Sequence, residues 1–386
     1  MCAGSAHWAL IVARGWLVFD LTGSSGLVGV VTFAAMIPRF LISPFAGLLA
    51  DRVDRRILVA WAFGINIAHN LVLAILTVVG LIEVWHLVGL SFVNGSARAF
   101  QMPASGSLLP NLVPREYLLN AIALNSATLH GTRLFGPLMT GPLLAISSTT
   151  FGPGLAFLLC SALYMLGLVV VANIRTVSRG SIQVDKGVID NLLAGLKYVY
   201  RDNLLRPLII VVAAHCALTM SFESLLPVLA SEQLGAKGSG FGYMMMAVGA
   251  GAIIGVTSLT VVTSERVRGR LLFTSGIVSG LTPALLAICP SMTMALLAAM
   301  LMGLSQGCFM TLFTTIVQSV VPDSIRGRVT SVNNLHIGGI MAAFNLVNGS
   351  LADISGAPII LICTGLVFTM LMPITLANKS LRSLYG

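Results

Sequence analysis

Six ionisable residues stand inside long apolar runs of this sequence. Arg14, Arg39, Arg98 and Arg133 lie within such runs, Asp20 lies near the end of one, and Glu223 lies inside another. A charge surrounded by apolar spans is costly, so such residues face a bundle interior or a water-filled path. Two kinds of chemistry follow. The arginines offer permanent charge and several hydrogen-bond donors, suited to an anionic or polyhydroxylated solute. The carboxyls can take up and release a proton, with a pKa biased by any arginine nearby. Glu223 is the better proton carrier of the two acids, and Arg98 is the arginine expected to bias it. Structural pairing of Arg98 with an acid or a backbone carbonyl is an equal alternative, and Glu223, near the outer end of its run, could instead reach water.

Other suggestive patterns fail on context. Gly303-Leu-Ser305-Gln-Gly307 fits GxSxG, but a nucleophile elbow needs a strand-to-helix turn, and this motif sits within an apolar helical run. Gly249-Ala-Gly251-Ala-Ile-Ile-Gly255 misses GxGxxG by one residue and follows no soluble strand. Both read as close helix packing. The six histidines include no i, i+4 pair, and the six cysteines lie far apart with no CxxC pair, so no metal, cofactor or redox centre is expected. No P-loop is present, and nothing indicates an enzyme. Met244-Met245-Met246 offers either adaptable contacts to varied solutes or lipid-facing packing.

The elements that must position these residues follow from composition. Of 386 residues, 56% are hydrophobic and only 9% are charged, against about 25% charged in a soluble domain. The apolar residues come in continuous runs, which excludes a β-barrel and gives an all-α membrane protein. Twelve spans of ~20 residues use about 240 positions. They fall at about 3–21, 25–49, 57–80, 85–106, 120–145 and 152–173, then at about 207–229, 240–263, 270–289, 292–318, 329–351 and 357–377.

The organisation is therefore an N-terminal six-helix bundle (1–173), a central loop (174–206) and a C-terminal six-helix bundle (207–386). The first span is short, has Arg14 inside and lacks a basic lead-in, so it is expected to be a truncated helix behind a misassigned start. In the central loop Val188, Leu192, Leu196 and Val199 recur at helical spacing, giving either an interfacial helix or a solvated linker. Pro207 suits the first turn of the following helix.

A net charge of +9 could suggest nucleic acid, but the basic residues lie in short loops and not on one water-exposed face. Their distribution sets orientation. Seventeen Lys and Arg fall in one set of alternate loops and the C-terminus, against Lys237 alone in the other. The central loop and both termini are expected in the cytoplasm, in a cell (inner) membrane. The halves also repeat at an offset of 208 residues: Val113-Pro114 recurs as Val321-Pro322, and Gly95, Asn125, Gly131 and Gly141 recur as Gly303, Asn333, Gly339 and Gly349. Duplicated bundles are what alternating access to a midplane site requires.

The second and third spans are joined by Gly47-Leu-Leu-Ala-Asp51-Arg52-Val-Asp54-Arg55-Arg56. This resembles the cytoplasmic loop motif of the major facilitator superfamily, with Gly47 permitting close helix approach and Asp51 able to dock on a helix N-terminus. The equivalent loop, Glu265-Arg266-Val-Arg268-Gly269-Arg270, keeps only the basic residues. Arg98-Ala-Phe-Gln101 resembles the Arg-x-x-Gln core of a motif associated with proton coupling, and Gly136-Pro137-Leu-Met-Thr140-Gly141 resembles part of the exporters' antiporter motif. Leu112-Val-Pro-Arg-Glu-Tyr-Leu-Leu-Asn-Ala-Ile-Ala-Leu-Asn125, Leu193-Ala-Gly-Leu-Lys-Tyr198 and Val321-Pro-Asp-Ser-Ile-Arg-Gly-Arg328 resemble the enterobactin-exporter branch of that superfamily.

The resemblance implies a secondary exporter of siderophore- or drug-like molecules, working by proton antiport and expected as a monomer. It also implies that the first, fourth, seventh and tenth helices line the cavity, so that Arg14, Arg98 and Glu223 meet substrate or proton. A facilitator or importer of the same fold, and a non-transporting membrane sensor or scaffold, are the alternatives.

Overall fold

The computed structural model describes residues 1–146, 150–174, 176 and 188–385; within these, the side chains of 43–45, 47, 48, 50–52, 110, 115, 118, 119, 122, 123, 126, 188, 189, 191, 323 and 324 lie outside the description. The described residues are helical, without strands. In chain order the helices are α1 (Cys2–Thr22), α2 (Ser25–Arg52), α3 (Arg55–Val78), α4 (Val84–Leu108), α5 (Leu118–Ala145), α6 (Phe151–Ala172), α7 (Val188–Arg201), α8 (Leu205–His215), α9 (Leu226–Val228), α10 (Gly238–Ser258), α11 (Glu265–Ala287), α12 (Met292–Val320), α13 (Asp323–Ser355), α14 (Ala357–Ile374) and α15 (Lys379–Tyr385).

Local chemistry sets several of these boundaries. Gly23 ends α1 in the left-handed conformation, φ 65°, and donates its N–H to Phe19 O at 2.7 Å, a geometry that favours glycine because it has no Cβ. Asp54 caps α3 by accepting from the Arg56 N–H at 3.1 Å, and Ser291 caps α12 through the Met294 N–H, each satisfying a donor the first turn leaves open.

Nine helices among the described residues are long and apolar enough to cross a membrane. With α4, α5 and the interrupted segment formed by α8 and α9 they match the twelve apolar runs. The spans differ in how much of their surface they hide. The α6 window has mean hydropathy 2.5 with 28% of it buried, whereas the α1 window has 1.2 with 67% buried. Polar-inside, apolar-outside order is what lipid imposes as solvent; accordingly Trp61, Trp85, Val170 and Ile354 are among the large apolar side chains left exposed.

The chain forms two compact units. The first comprises Met1–Gly23, Val30–Val188 and Lys237–Met246; the second comprises Ser24–Gly29, Ile189–Ala236 and Ala247–Gly386. In the first, α1 packs on α5 and α6, and α3 packs on α4 and α6. In the second, α11 packs on α12 and α14, around a core that includes Leu205, Leu208, Phe309, Phe313, Phe368 and Met372. The helix at 188–201 joins that core through Val199, with Leu192 and Leu196 against it; its part from Leu192 meets α8 at 104°.

One expected element is not built as read. The seventh span, expected as one helix over 207–229, is interrupted. After α8 a π-helical turn runs over Cys216–Met220, residues 221–225 are not helical, and helix resumes at Leu226. Glu223 therefore stands in a break and not on a helix face. It is 6% exposed, which also removes the expectation that it reaches water.

Candidate functional site

In the first unit the arginines gather on α1, α2 and α4. Arg14 is buried, and its Nη1 donates to Ser91 Oγ on α4 at 3.0 Å. His7, two turns earlier on α1, lies within electrostatic range of Arg98, Arg39 and Arg14, and His69 on α3 lies within range of Arg14. Arg98 is half-buried and interacts with the Tyr164 hydroxyl region of α6; Tyr164 packs edge-on to Phe63 at 5.7 Å. Between these levels Asn94 Nδ2 donates to Asn66 Oδ1 at 2.5 Å, and Asn70 Nδ2 donates to Asn66 O at 2.7 Å. The interior bounded by α1, α3, α4 and α6 is thus cationic and amide-rich, and from Ser25 to Ala50 and through α3, α4, α5 and α6 there is no Asp or Glu.

The remaining candidates of this unit sit apart. Gln101 is half-buried one turn beyond Arg98. Asp20 is half-buried at the end of α1, within electrostatic range of Lys237. Arg133 stacks its guanidinium over the Trp8 ring, 4.9 Å from the centroid. That contact depends on Gly136, one turn further along α5, where a Cβ would stand 2.6 Å from Ser5 O and from Trp8 Cβ. Glycine lets α5 close on α1. Pro137 is buried within α5, and Thr140 donates its hydroxyl to Gly136 O at 3.1 Å. At Gly141 the neighbour is Gly242, whose added Cβ would stand 2.8 Å from the Gly141 Cα.

At the loop between α2 and α3, Gly47, Asp51 and Arg52 lie outside the residues whose side chains are described. Asp54 is buried and chelated by Arg56, Nη2 to Oδ2 at 2.7 Å. Arg56 Nη1 donates to Ile174 O at 2.6 Å, and Arg55 Nη1 donates to Ser107 O at 3.1 Å. The acid that organises the described part of this loop is thus Asp54. Its two basic neighbours reach the ends of α6 and α4.

In the second unit the polar chemistry surrounds the break that holds Glu223. His215, fully buried, shares a hydrogen bond between Nε2 and Ser279 Oγ at 2.8 Å and stacks on Phe309 at 4.2 Å. Gln306 on α12 donates to Thr219 O at 2.9 Å. Asn345 and Asn348 on α13 bond to Ser224 and Ser221, on either side of Glu223. Arg98 groups with the first unit and Glu223 with the second.

Sequence reading missed His7, Asn66, Asn94 and Tyr164 in the first unit and Gln306, Asn345 and Asn348 in the second. Neutral polar residues in an apolar run carry a weak composition signal. The spacing of Asn345 and Asn348, three apart on one helix face, was the available clue.

Three comparisons bear on this arrangement. A family model described as a transmembrane secretion effector, of major facilitator type, matches residues 1–383. The chain is 24% identical over 405 residues to the multidrug efflux pump Tap of Mycobacterium tuberculosis (strain H37Rv), covering 95% of this chain and 90% of that protein. It is 31% identical over 105 residues, 26% of each chain, to macrolide efflux protein A of Streptococcus pyogenes. A crystal structure of a POT family transporter in complex with a thioalcohol-conjugated peptide superposes with a TM-score of 0.75 at 13% identity, over 100% of this chain and 95% of that one. This last likeness concerns the fold alone.

Proposed function

This chain belongs to the transmembrane secretion effector family of the major facilitator superfamily, and on that premise we propose that it exports small drug-like molecules by alternating access, in antiport with protons. It is a multi-pass membrane transporter and not an enzyme. The names of Tap and macrolide efflux protein A favour drug-like substrates over siderophores. The observation that carries the reading is the separation of charge: Arg14, Arg39 and Arg98 around His7 in one unit, and buried Glu223 in a helix break in the other.

The arginines hold an anionic or hydroxyl-rich group of the substrate through charge-assisted donors. Glu223 takes a proton from the outer side while the transporter faces outward and releases it to the cytoplasm when the transporter faces inward, so one proton enters as a substrate molecule leaves. Two bundles, 1–173 and 207–386, rock about the midplane, and the loop built on Asp51, Asp54, Arg55 and Arg56 governs the change. The asymmetry of seventeen basic residues to one puts the central loop and the C-terminus in the cytoplasm of a monomer in the cell membrane.

Inverted membrane vesicles test this reading. An imposed proton gradient drives accumulation of anionic drug-like compounds, and siderophores added as competitors leave that accumulation unchanged. Glu223→Gln loses that accumulation while the protein stays folded. Accumulation without a gradient, or equal transport by Glu223→Gln, refutes antiport through Glu223. Equal handling of neutral and cationic analogues refutes the role of the arginines.

A further inference from the structure

A buried helix break exposes backbone groups that must find partners, and in the second unit side chains of other helices supply several of them. Ser221 Oγ donates to Cys216 O at 2.7 Å, and Gln306 Nε2 donates to Thr219 O at 2.9 Å. Asn348 Nδ2 donates to Ser221 O at 3.0 Å and to Ala217 O at 3.5 Å. On the far side of Glu223, the Ser224 N–H donates to Asn345 Oδ1 at 3.3 Å, and Ser224 Oγ donates to Asn345 O at 2.9 Å. Asn345 and Asn348 are 0% and 3% exposed, so each amide works in a dry setting where an unmade bond is costly. Two amides on one face of α13 thus hold the chain immediately before and immediately after Glu223.

We propose that Asn345 and Asn348 are positioning residues for proton coupling: they keep residues 221–225 out of the helix and so fix where the Glu223 carboxyl points. The proposal rests on the reading of Glu223 as the proton carrier. Without the Asn348 donor, the Ser221 carbonyl is buried and unpaired. Its nearest remedy is rewinding of the segment into a continuous helix, which turns Glu223 by ~100° about the axis for each residue gained. The carboxyl then meets a different environment, and its titration moves with it.

The full-length protein in proteoliposomes provides two readouts. Asn348→Leu, which keeps the volume and removes the donor, is expected to slow amide exchange over residues 221–226 and to shift the pH midpoint of efflux by about one unit, with the maximal rate falling about tenfold or more. Asn348→Gln, which keeps a donor, recovers at least half of the midpoint shift. Should Asn348→Leu fail to fold, Ser224→Ala makes a smaller lesion on the opposite side of the break and shifts both readouts in the same direction.

Unchanged exchange in folded Asn348→Leu or Ser224→Ala overturns the positioning role, whatever Glu223 does. Altered exchange with an unmoved pH midpoint, where Glu223→Gln abolishes coupled efflux, overturns the link to the proton. Wild-type transport by Glu223→Gln overturns that link too, through failure of the reading beneath it, and is distinguished by the Glu223 variant alone.

Discussion

The two units solve the problem of polar groups among apolar helices in opposite ways. The first keeps its helices continuous and fills the space between α1, α3, α4 and α6 with arginine, histidine and asparagine; its described ionic pair, Asp54 with Arg56, lies at the loop. The second places no Lys or Arg in the middle of its spans, interrupts one helix, and holds the serines on either side of Glu223 with neutral amides. Fixed positive charge suits recognition of an anion, because arginine stays charged at any working pH. A carboxyl, which can take up and release a proton, suits a cycle of protonation. The halves share residues at a fixed offset, yet the buried arginines lie in one and the amide-held break in the other.

Loss of the acid is expected to have the largest effect. Glu223→Gln lowers gradient-driven efflux by about 100-fold or more, the range for removal of a group that moves a proton, and transport of the same compound down its own gradient in proteoliposomes should survive. Next is the cationic side. Arg14→Leu removes the bond to Ser91 and is expected to lower efflux of anionic compounds about tenfold relative to neutral ones of similar size, measured by competition in inverted vesicles. Equal loss for both classes would make Arg14 a packing residue and erase the contrast between units.

The repeat itself gives a third test, read as stability in detergent. Gly95 and Gly303 are related by the 208-residue offset, and a Cβ at either would collide with a carbonyl of the facing helix, Ala35 O and Val248 O respectively. Gly303→Ala and Gly95→Ala are each expected to destabilise by about 1–3 kcal/mol. Gly64, with nothing within 4 Å of an added Cβ, should accept alanine with a gain of about 0.5–1 kcal/mol. The smallest effect distinguishes the loops. Asp54→Ala removes a working cap and costs about 1 kcal/mol, whereas Ser264, the residue preceding α11, makes no side-chain cap bond, and Ser264→Ala should fall within about 0.5 kcal/mol of wild type. Equal costs would remove the distinction between the two loops.

Most of the helical architecture was legible because a bilayer demands long apolar segments, and most expected boundaries agree with the observed helices to within three residues. The larger departures differ in cause. At α13 the expected start at 329 is too late, since helix begins at Asp323; charged residues Arg326 and Arg328 mark the edge of the apolar run without ending the helix. At the seventh span Pro227 stands in the first turn of the resumed helix and has no N–H to offer the Glu223 carbonyl in a continuous helix, but nothing within 217–226 fixes where the break begins. The interruption is sustained by partners about 85 to 130 residues away, Gln306, Asn345 and Asn348, and no local pattern encodes them. For the same reason the arginines were visible as anomalies, but their grouping around His7 was not.

Sequence by itself determined that this is a polytopic helical membrane protein, which positions carry charge between apolar runs, and that the two halves repeat, because hydropathy, charge and spacing are properties of the chain alone. Only the tertiary structure decided that Arg56 reaches the Ile174 carbonyl, that Arg133 rests on Trp8 while Arg14 reaches Ser91, and that Glu223 occupies a break held by α13. Those are pairings between segments distant along the chain, and a hydrogen bond acts across about 3 Å of space, with no regard for separation in sequence.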